Sequence, residues 1–376
     1  MKLWMSSMSK KQASEAGQSG YTHPAIEANR RLAEQLQNPL SAELVELLQQ
    51  AKMHEKWPLA RLISIFERNT EANFIARHQL MAYLNAQTDS FSKHGLVLGI
   101  TGTPGAGKSS LIGALCLDLL AKKPDISIAV LAIDPSSHES GGALLGDRTR
   151  TIFPVKDKRL FFRSQASQQD LGGLSKQTFH VTRLLRKLFD LIIIETVGIG
   201  QNEIEIQKLS DHSCLVMQPL AGDQVQFMKA GIMEVPNTFI INKCDEDVLA
   251  KKSLHLLKAS LKLAQIHIHG KESSDTAQTV REIFLTSAIK KKGINELAGF
   301  ILSLCNREIE PDSIQQQETY FLHKWIRQAY GEFGMAVFQH LHADEALKEG
   351  SMEQKELRFK QLISGFLTHV SETITE

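Results

Sequence analysis

Gly102-Thr-Pro-Gly-Ala-Gly-Lys-Ser109 lies between Gly95-Leu-Val-Leu-Gly-Ile-Thr101 and Ser110-Leu-Ile-Gly-Ala-Leu-Cys-Leu-Asp-Leu-Leu120. An apolar run of strand length leads into a glycine turn, and the turn leads into a helical pattern. That is the setting in which G-x-x-x-x-G-K-[ST] cradles phosphate. Glycines let main-chain N–H groups approach crowded anionic oxygens, and a helix start adds favourable partial charge. Gly102, Thr103, Pro104, Gly105, Ala106, Gly107, Lys108, Ser109 and Ser110 are the expected nucleotide-binding residues. Lys108 is expected to bridge the β- and γ-phosphates, and the Ser109 hydroxyl to ligate Mg²⁺.

On either side of this loop the pattern alternates short apolar runs with amphipathic stretches. Candidate strands are Leu96–Ile100, Ile126–Ile133, Leu160–Arg163, Leu191–Glu195, Cys214–Met217, Thr238–Ile241 and Ile283–Thr286. Continuous Val, Ile and Leu suit a parallel sheet covered by helices on both faces. Helices are expected at Ser109–Ala121, Ser175–Phe189, Asp223–Glu234, Asp247–Ala264 and Ile294–Cys305. The fold class is therefore α/β, a doubly wound and mostly parallel sheet with ligands at the carboxyl ends of its strands. Residues 91–308 form this nucleotide domain, 1–22 read as a disordered start, and 23–90 as a helical extension. In the extension Asn38-Pro39 ends one helix, and another starts near Leu40. Residues 309–376 form a helical arm with helices at Gln315–His340 and Glu353–Ile374 and a turn near Gly350. Trp325, Tyr330, Phe333 and Phe338 recur there at mostly helical spacing, suiting either a dimer face or an internal packing stripe.

A second motif, Asn242-Lys-Cys-Asp245, follows the apolar run Thr238-Phe-Ile-Ile241 and so sits on a loop leaving a strand. A carboxylate there accepts from both N1–H and the 2-amino group of guanine. Adenine offers no such donor pair and would leave Asp245 desolvated, a mispairing worth several kcal/mol. Asn242, Lys243 and Asp245 are thus expected base readers, with Thr286-Ser287-Ala288 completing the pocket through main-chain N–H groups. Ile192-Ile-Ile-Glu195-Thr-Val-Gly198 is a strand ending in an acid: Glu195 is expected to hold Mg²⁺ through water and Gly198 N–H to sense the γ-phosphate. Gln201 is a candidate for orienting the attacking water. The polar loop from Asp134 to Arg150 supplies Asp134 and Asp147 as metal or water ligands. Arg148 suits either phosphate or a surface ion pair, and His138 reads as a solvated loop residue. Together with the loops at Gly172-Gly173 and Leu220–Asp223, these suggest a switch ordered by γ-phosphate.

Bulk properties exclude several classes. The chain has 376 residues, 42% apolar and 23% charged, with net charge +1, so nothing points to nucleic acid or a membrane held by bulk electrostatics. Cys116, Cys214, Cys244 and Cys305 have no C-x-x-C spacing and read as reduced thiols. No apolar run nears the ~18 residues of a membrane span. The start lacks a signal-peptide core, so a cytoplasmic location is expected.

The ordered series of motifs resembles the MeaB/ArgK family, GTPase chaperones of adenosylcobalamin-dependent methylmalonyl-CoA mutase once described as lysine-arginine-ornithine transport kinases. It rests on Trp57-Pro-Leu-Ala-Arg-Leu-Ile-Ser-Ile-Phe-Glu67, the phosphate loop, Ile133-Asp-Pro-Ser-Ser137, Gly141-Gly142 with Leu145-Gly-Asp-Arg-Thr-Arg150, Glu195-Thr-Val-Gly-Ile-Gly-Gln201, Ala230-Gly-Ile-Met-Glu234 and Asn242-Lys-Cys-Asp245. The likeness covers roughly residues 55–305. It implies a P-loop GTPase of the signal-recognition-particle-like class whose C-terminal arm dimerises. It also implies that Lys108, Ser109, Asp134, Asp147 and Glu195 surround nucleotide and Mg²⁺. GTP turnover would gate cofactor delivery to the mutase and protect it. Three stretches depart from the family pattern: Pro219-Leu-Ala-Gly-Asp-Gln224, Val235-Pro-Asn237, and the basic run in Thr286-Ser-Ala-Ile-Lys-Lys-Lys-Gly293. The competing reading is an ATP-dependent kinase of a basic amino-acid transport system, which Asp245 disfavours. A metal-delivery GTPase calls for a His- or Cys-rich cluster that the sequence lacks.

Overall fold

The computed structural model describes residues 24–87, 94–135, 157–167, 174–196, 202–219, 236–268 and 281–375. The chain divides into two compact units, Leu40–Trp325 and a smaller one formed by the stretch up to Pro39 with Ile326–Glu376.

In the larger unit, three helices precede the sheet: α2 (Ala42–Lys52), α3 (Lys56–Glu67) and α4 (Glu71–Ala86), after α1 (Pro24–Leu36) in the smaller unit. The Asn38-Pro39 break falls where expected, but α2 starts at Ala42 because the Ser41 hydroxyl accepts from Leu44 N–H. Thr70 caps α4 in the same way, through Asn73 N–H. Each such cap satisfies a helix-end donor and contributes about 1 kcal/mol.

The sheet has seven parallel strands in the order β3-β2-β4-β1-β5-β6-β7. They are β1 (Leu96–Gly102), β2 (Ile128–Pro135), β3 (Leu160–Ser167), β4 (Leu191–Thr196), β5 (His212–Met217), β6 (Thr238–Ile241) and β7 (Glu282–Leu285). All seven coincide with predicted runs. β7 is displaced by one residue, and Thr286, just past its end, bonds Asn242 through its hydroxyl. β1 and β4 are buried at every position, which is why their sequences do not alternate. Helices α5 (Lys108–Lys122), α6 (Lys176–Leu188), α7 (Asn202–Leu209), α8 (Asp247–Ile268) and α9 (Ile294–Cys305) connect or flank the strands. The eight residues of α7 were not anticipated, since two turns are too short for a periodic signal. Predicted helix Asp223–Glu234 lies outside the described residues, as does the segment 1–22.

β1 sits at the centre, between β4 and β5. The chain leaving β1 passes to the β2 side and the chain leaving β4 to the β5 side, and the crevice at this reversal, at the carboxyl ends of the strands, is where open α/β sheets bind ligands. At the opposite, amino-terminal ends of the strands Arg186 and Asp211 pair at 2.7 Å, both nearly buried. Asp211 also accepts from Val97 N–H, and Gln317 bonds both partners. These bonds satisfy charges that would otherwise be costly to bury, and they anchor the start of β1. Gln317 lies on α10 (Pro311–His340), which is broken at Gly331 where φ is 64°.

The smaller unit packs α1 against α12 (Met352–Thr375), with Asn29 Nδ2 donating to Ser364 Oγ at 3.2 Å. A short helix α11 (Ala343–Ala346) and a turn with Gly350 at φ 98° precede α12. Among the described residues no helix is long and apolar enough to cross a membrane.

Candidate functional site

The phosphate loop closes β1 and opens α5. Gly102 sits so close to β5 that a Cβ there would lie 1.9 Å from the Val216 carbonyl oxygen. Gly107 has φ 80°, and a Cβ on it would come within 2.8 Å of Asn242 Nδ2. Glycine is required at both places for a stated reason: strand approach at one, a left-handed turn against a side chain at the other. Lys108 is buried, and its ammonium donates to the carbonyls of Gly102 (2.8 Å) and Thr103 (3.1 Å). The loop's own dipoles thus hold a cation over its rim. Ala106 is buried within the loop, while Pro104, Gly105 and Ser110 are exposed.

The hydroxyl of Ser109 donates to Glu195 Oε1 at 2.7 Å. Glu195 comes from the end of β4, immediately beside β1, and is only 3% exposed. With its proton engaged by the carboxylate, the Ser109 oxygen keeps lone pairs for a cation. A hydroxyl and a carboxylate are the hard oxygen donors Mg²⁺ takes, usually beside phosphate oxygens, so the residues present fit that ion. The main chain of Asp134 lies in β2, one strand from β1, and its side chain is outside the described part. Asp147, Gly198, Gln201, His138 and Arg148 also fall outside the described residues.

On the other flank, Asn242 Nδ2 donates to Ala106 O at 2.9 Å and Gly107 O at 3.3 Å. The motif after β6 is therefore bonded directly to the phosphate loop. Thr286 Oγ1 donates back to Asn242 Oδ1 at 3.2 Å, fixing which amide atom faces the loop. Lys243 adopts φ 61° and reaches Gln218 Oε1 at 3.3 Å. Asp245 Oδ1 accepts from Ser287 Oγ at 2.6 Å. The sequence reading put the main-chain N–H groups of Thr286 and Ser287 in the base pocket, but these donate to Ile241 O and Lys292 O. Ser287 instead acts through its hydroxyl, and of the three N–H groups only that of Ala288 carries no described bond. The basic run after Ala288 stood out in the sequence, but its partners and that of Thr286's hydroxyl did not, because a bond between segments 44 residues apart leaves no local signal.

Burial pushes the thiols of Cys116 and Cys214 up to about 12, so these are inert packing residues beneath the site. Cys244, inside the base motif, is also buried, and its thiol is raised by desolvation.

Known proteins resemble this chain in sequence and in fold. GTPase ArgK of Escherichia coli K12 is 31% identical over 310 residues, spanning 81% of this chain and 88% of that protein. The methylmalonic aciduria type A homolog of Caenorhabditis elegans is 28% identical over 268 residues, 69% of this chain and 65% of that protein. A Pyrococcus abyssi relative is 40% identical over 203 residues, and the match spans 60% of its length. The crystal structure of a LAO/AO transport system kinase superposes with TM-score 0.55 at 25% identity, covering 85% of this chain and 97% of that one. Residues 59–332 match the family model described as methylmalonyl Co-A mutase-associated GTPase MeaB, and the chain belongs to that family.

Proposed function

We propose that this chain binds Mg²⁺–GTP in the crevice at β1 and hydrolyses it, and that the cycle gates cofactor loading and protection of an adenosylcobalamin-dependent acyl-CoA mutase. The observation that carries the reading is the bond from Asn242 to the phosphate loop, with Asp245 three residues on and oriented by Ser287. One rigid element thereby holds the anionic tail and inspects the purine. The family's description and the methylmalonic aciduria relatives support the mutase as partner.

Main-chain N–H groups of the loop and the Lys108 ammonium bind the phosphates and offset charge on the β–γ bridge as it breaks. Water attacks the γ-phosphorus, the bond to the bridging oxygen cleaves, and GDP and phosphate leave. Ser109 and Glu195 would hold Mg²⁺, which would neutralise phosphate charge when bound; Asp134 and Asp147 belong to the same proposal. Residues 23–90 act as a helical extension, 91–308 as the nucleotide domain and 309–376 as a dimerising arm, in a cytoplasmic homodimer.

Calorimetry with GTP and ATP in the presence of magnesium tests this. GTP is expected to bind and ATP to bind at least about a hundredfold more weakly, the scale of a buried polar mispairing. Asp245→Asn is expected to erase most of that ratio. Absence of GTP uptake by folded protein would sink the reading.

A further inference from the structure

The Lys290-Lys-Lys292 run lies on a short turn closed by reciprocal main-chain bonds between Ser287 and Lys292. A run of exposed lysines is ordinarily solvated, but here alternate members reach across to the loop after β6 and to the start of α8. Lys290 Nζ donates to the main-chain oxygen of Asp245 at 2.9 Å, and Lys292 Nζ contacts Asp247 Oδ1. The Lys290 main-chain N–H donates to Ser287 Oγ at 3.0 Å. That leaves the serine proton to point at Asp245 Oδ1. Lys290 therefore touches the base-reading acid from both ends, its side chain on the backbone and its amide through the serine.

This loop needs such support. Lys243 carries φ 61°, a left-handed conformation unfavourable to a lysine, so the segment is not held by its own preferences. Accepting from two guanine donors at once demands that the carboxylate plane be fixed to within roughly 10–20°. We infer that Lys290 is a positioning residue for guanine recognition, tying down the Asp245 backbone so that the carboxylate meets N1–H and the 2-amino group together. The inference rests on the guanine-reading role of Asp245 and names what keeps that role accurate in this chain.

The test compares GTP with inosine triphosphate, which keeps N1–H and lacks the 2-amino group. Lys290→Met matches the side chain in length but cannot donate. It is expected to weaken GTP binding about three- to tenfold, the range of one net hydrogen bond, and inosine triphosphate binding by less. The GTP-to-inosine ratio falls accordingly. Lys290→Arg is expected to restore it. Lys291→Met removes the same charge from an exposed neighbour that makes no described bond to the Asp245 loop, and should leave the ratio unchanged. An unchanged ratio in Lys290→Met, an equal loss in Lys290→Arg, or an equal loss in Lys291→Met overturns the inference. Wild-type protein that fails to prefer GTP over ATP would instead overturn the role of Asp245 itself.

Discussion

Gly107 and Gly105 share nearly the same φ, 80° and 78°, yet face different surroundings. A Cβ on Gly107 collides with the Asn242 amide at 2.8 Å, whereas one on Gly105 meets nothing within 4 Å. Alanine at Gly105 therefore adds only left-handed strain, about 1–2 kcal/mol. Alanine at Gly107 adds the same strain and also displaces the side chain that joins the two halves of the site. Calorimetry is expected to show Gly107→Ala losing GTP affinity by at least about tenfold more than Gly105→Ala, one further hydrogen bond broken in a buried place. Local sequence declared both glycines, because the phosphate-loop spacing is itself a statement about backbone. It could not distinguish them, since the colliding atom lies 135 residues away.

Strands β5 and β6 show what packing does to a titratable group. His212 begins β5, its Nε2 lies 2.8 Å from Thr238 Oγ1 on β6, and its ring packs edge-on to Phe300 at 5.6 Å. Burial, with help from the nearby Arg307 charge, pushes its pKa down to about 4 from 6.5. The folded state thus resists protonation that the unfolded chain accepts. Stability is whole above pH 6.5 and is lost as pH falls toward 4, by about 3 kcal/mol at most. Urea midpoints at pH 7 and pH 4.5 should separate, and His212→Gln should shrink that separation. Parallel strands were legible as continuous aliphatic runs, and their predicted extents agree with the sheet to within a few residues at the ends. Asn237, the last residue of one departing stretch, has a role here: its Oδ1 accepts from the N–H and hydroxyl of Ser213 at the head of β5.

Each of the two units carries its own packing. In the smaller one Phe359 is fully buried, with the rings of Tyr330 at 5.6 Å and Phe338 at 6.1 Å. Of the aromatic residues whose spacing suited either a dimer face or an internal stripe, Tyr330 and Phe338 are engaged inside this unit, while Phe333 remains half exposed. Phe359→Ala is expected to cost about 3–5 kcal/mol of stability in this unit. GTP affinity of the folded protein should stay within about twofold, because Phe359 and the nucleotide-site residues belong to separate compact units. A thermal scan beside calorimetry checks both. Sequence alone specified the class of fold, the phosphate loop and the base motif, since each is written in contiguous residues whose backbone and side-chain demands are local. Tertiary structure decided that Asn242 grips the phosphate loop, that Ser287 works through its hydroxyl, and that Lys290 reaches Asp245. Those are bonds between segments brought together only when the sheet forms, so no window of sequence contains both partners in a recognisable pattern.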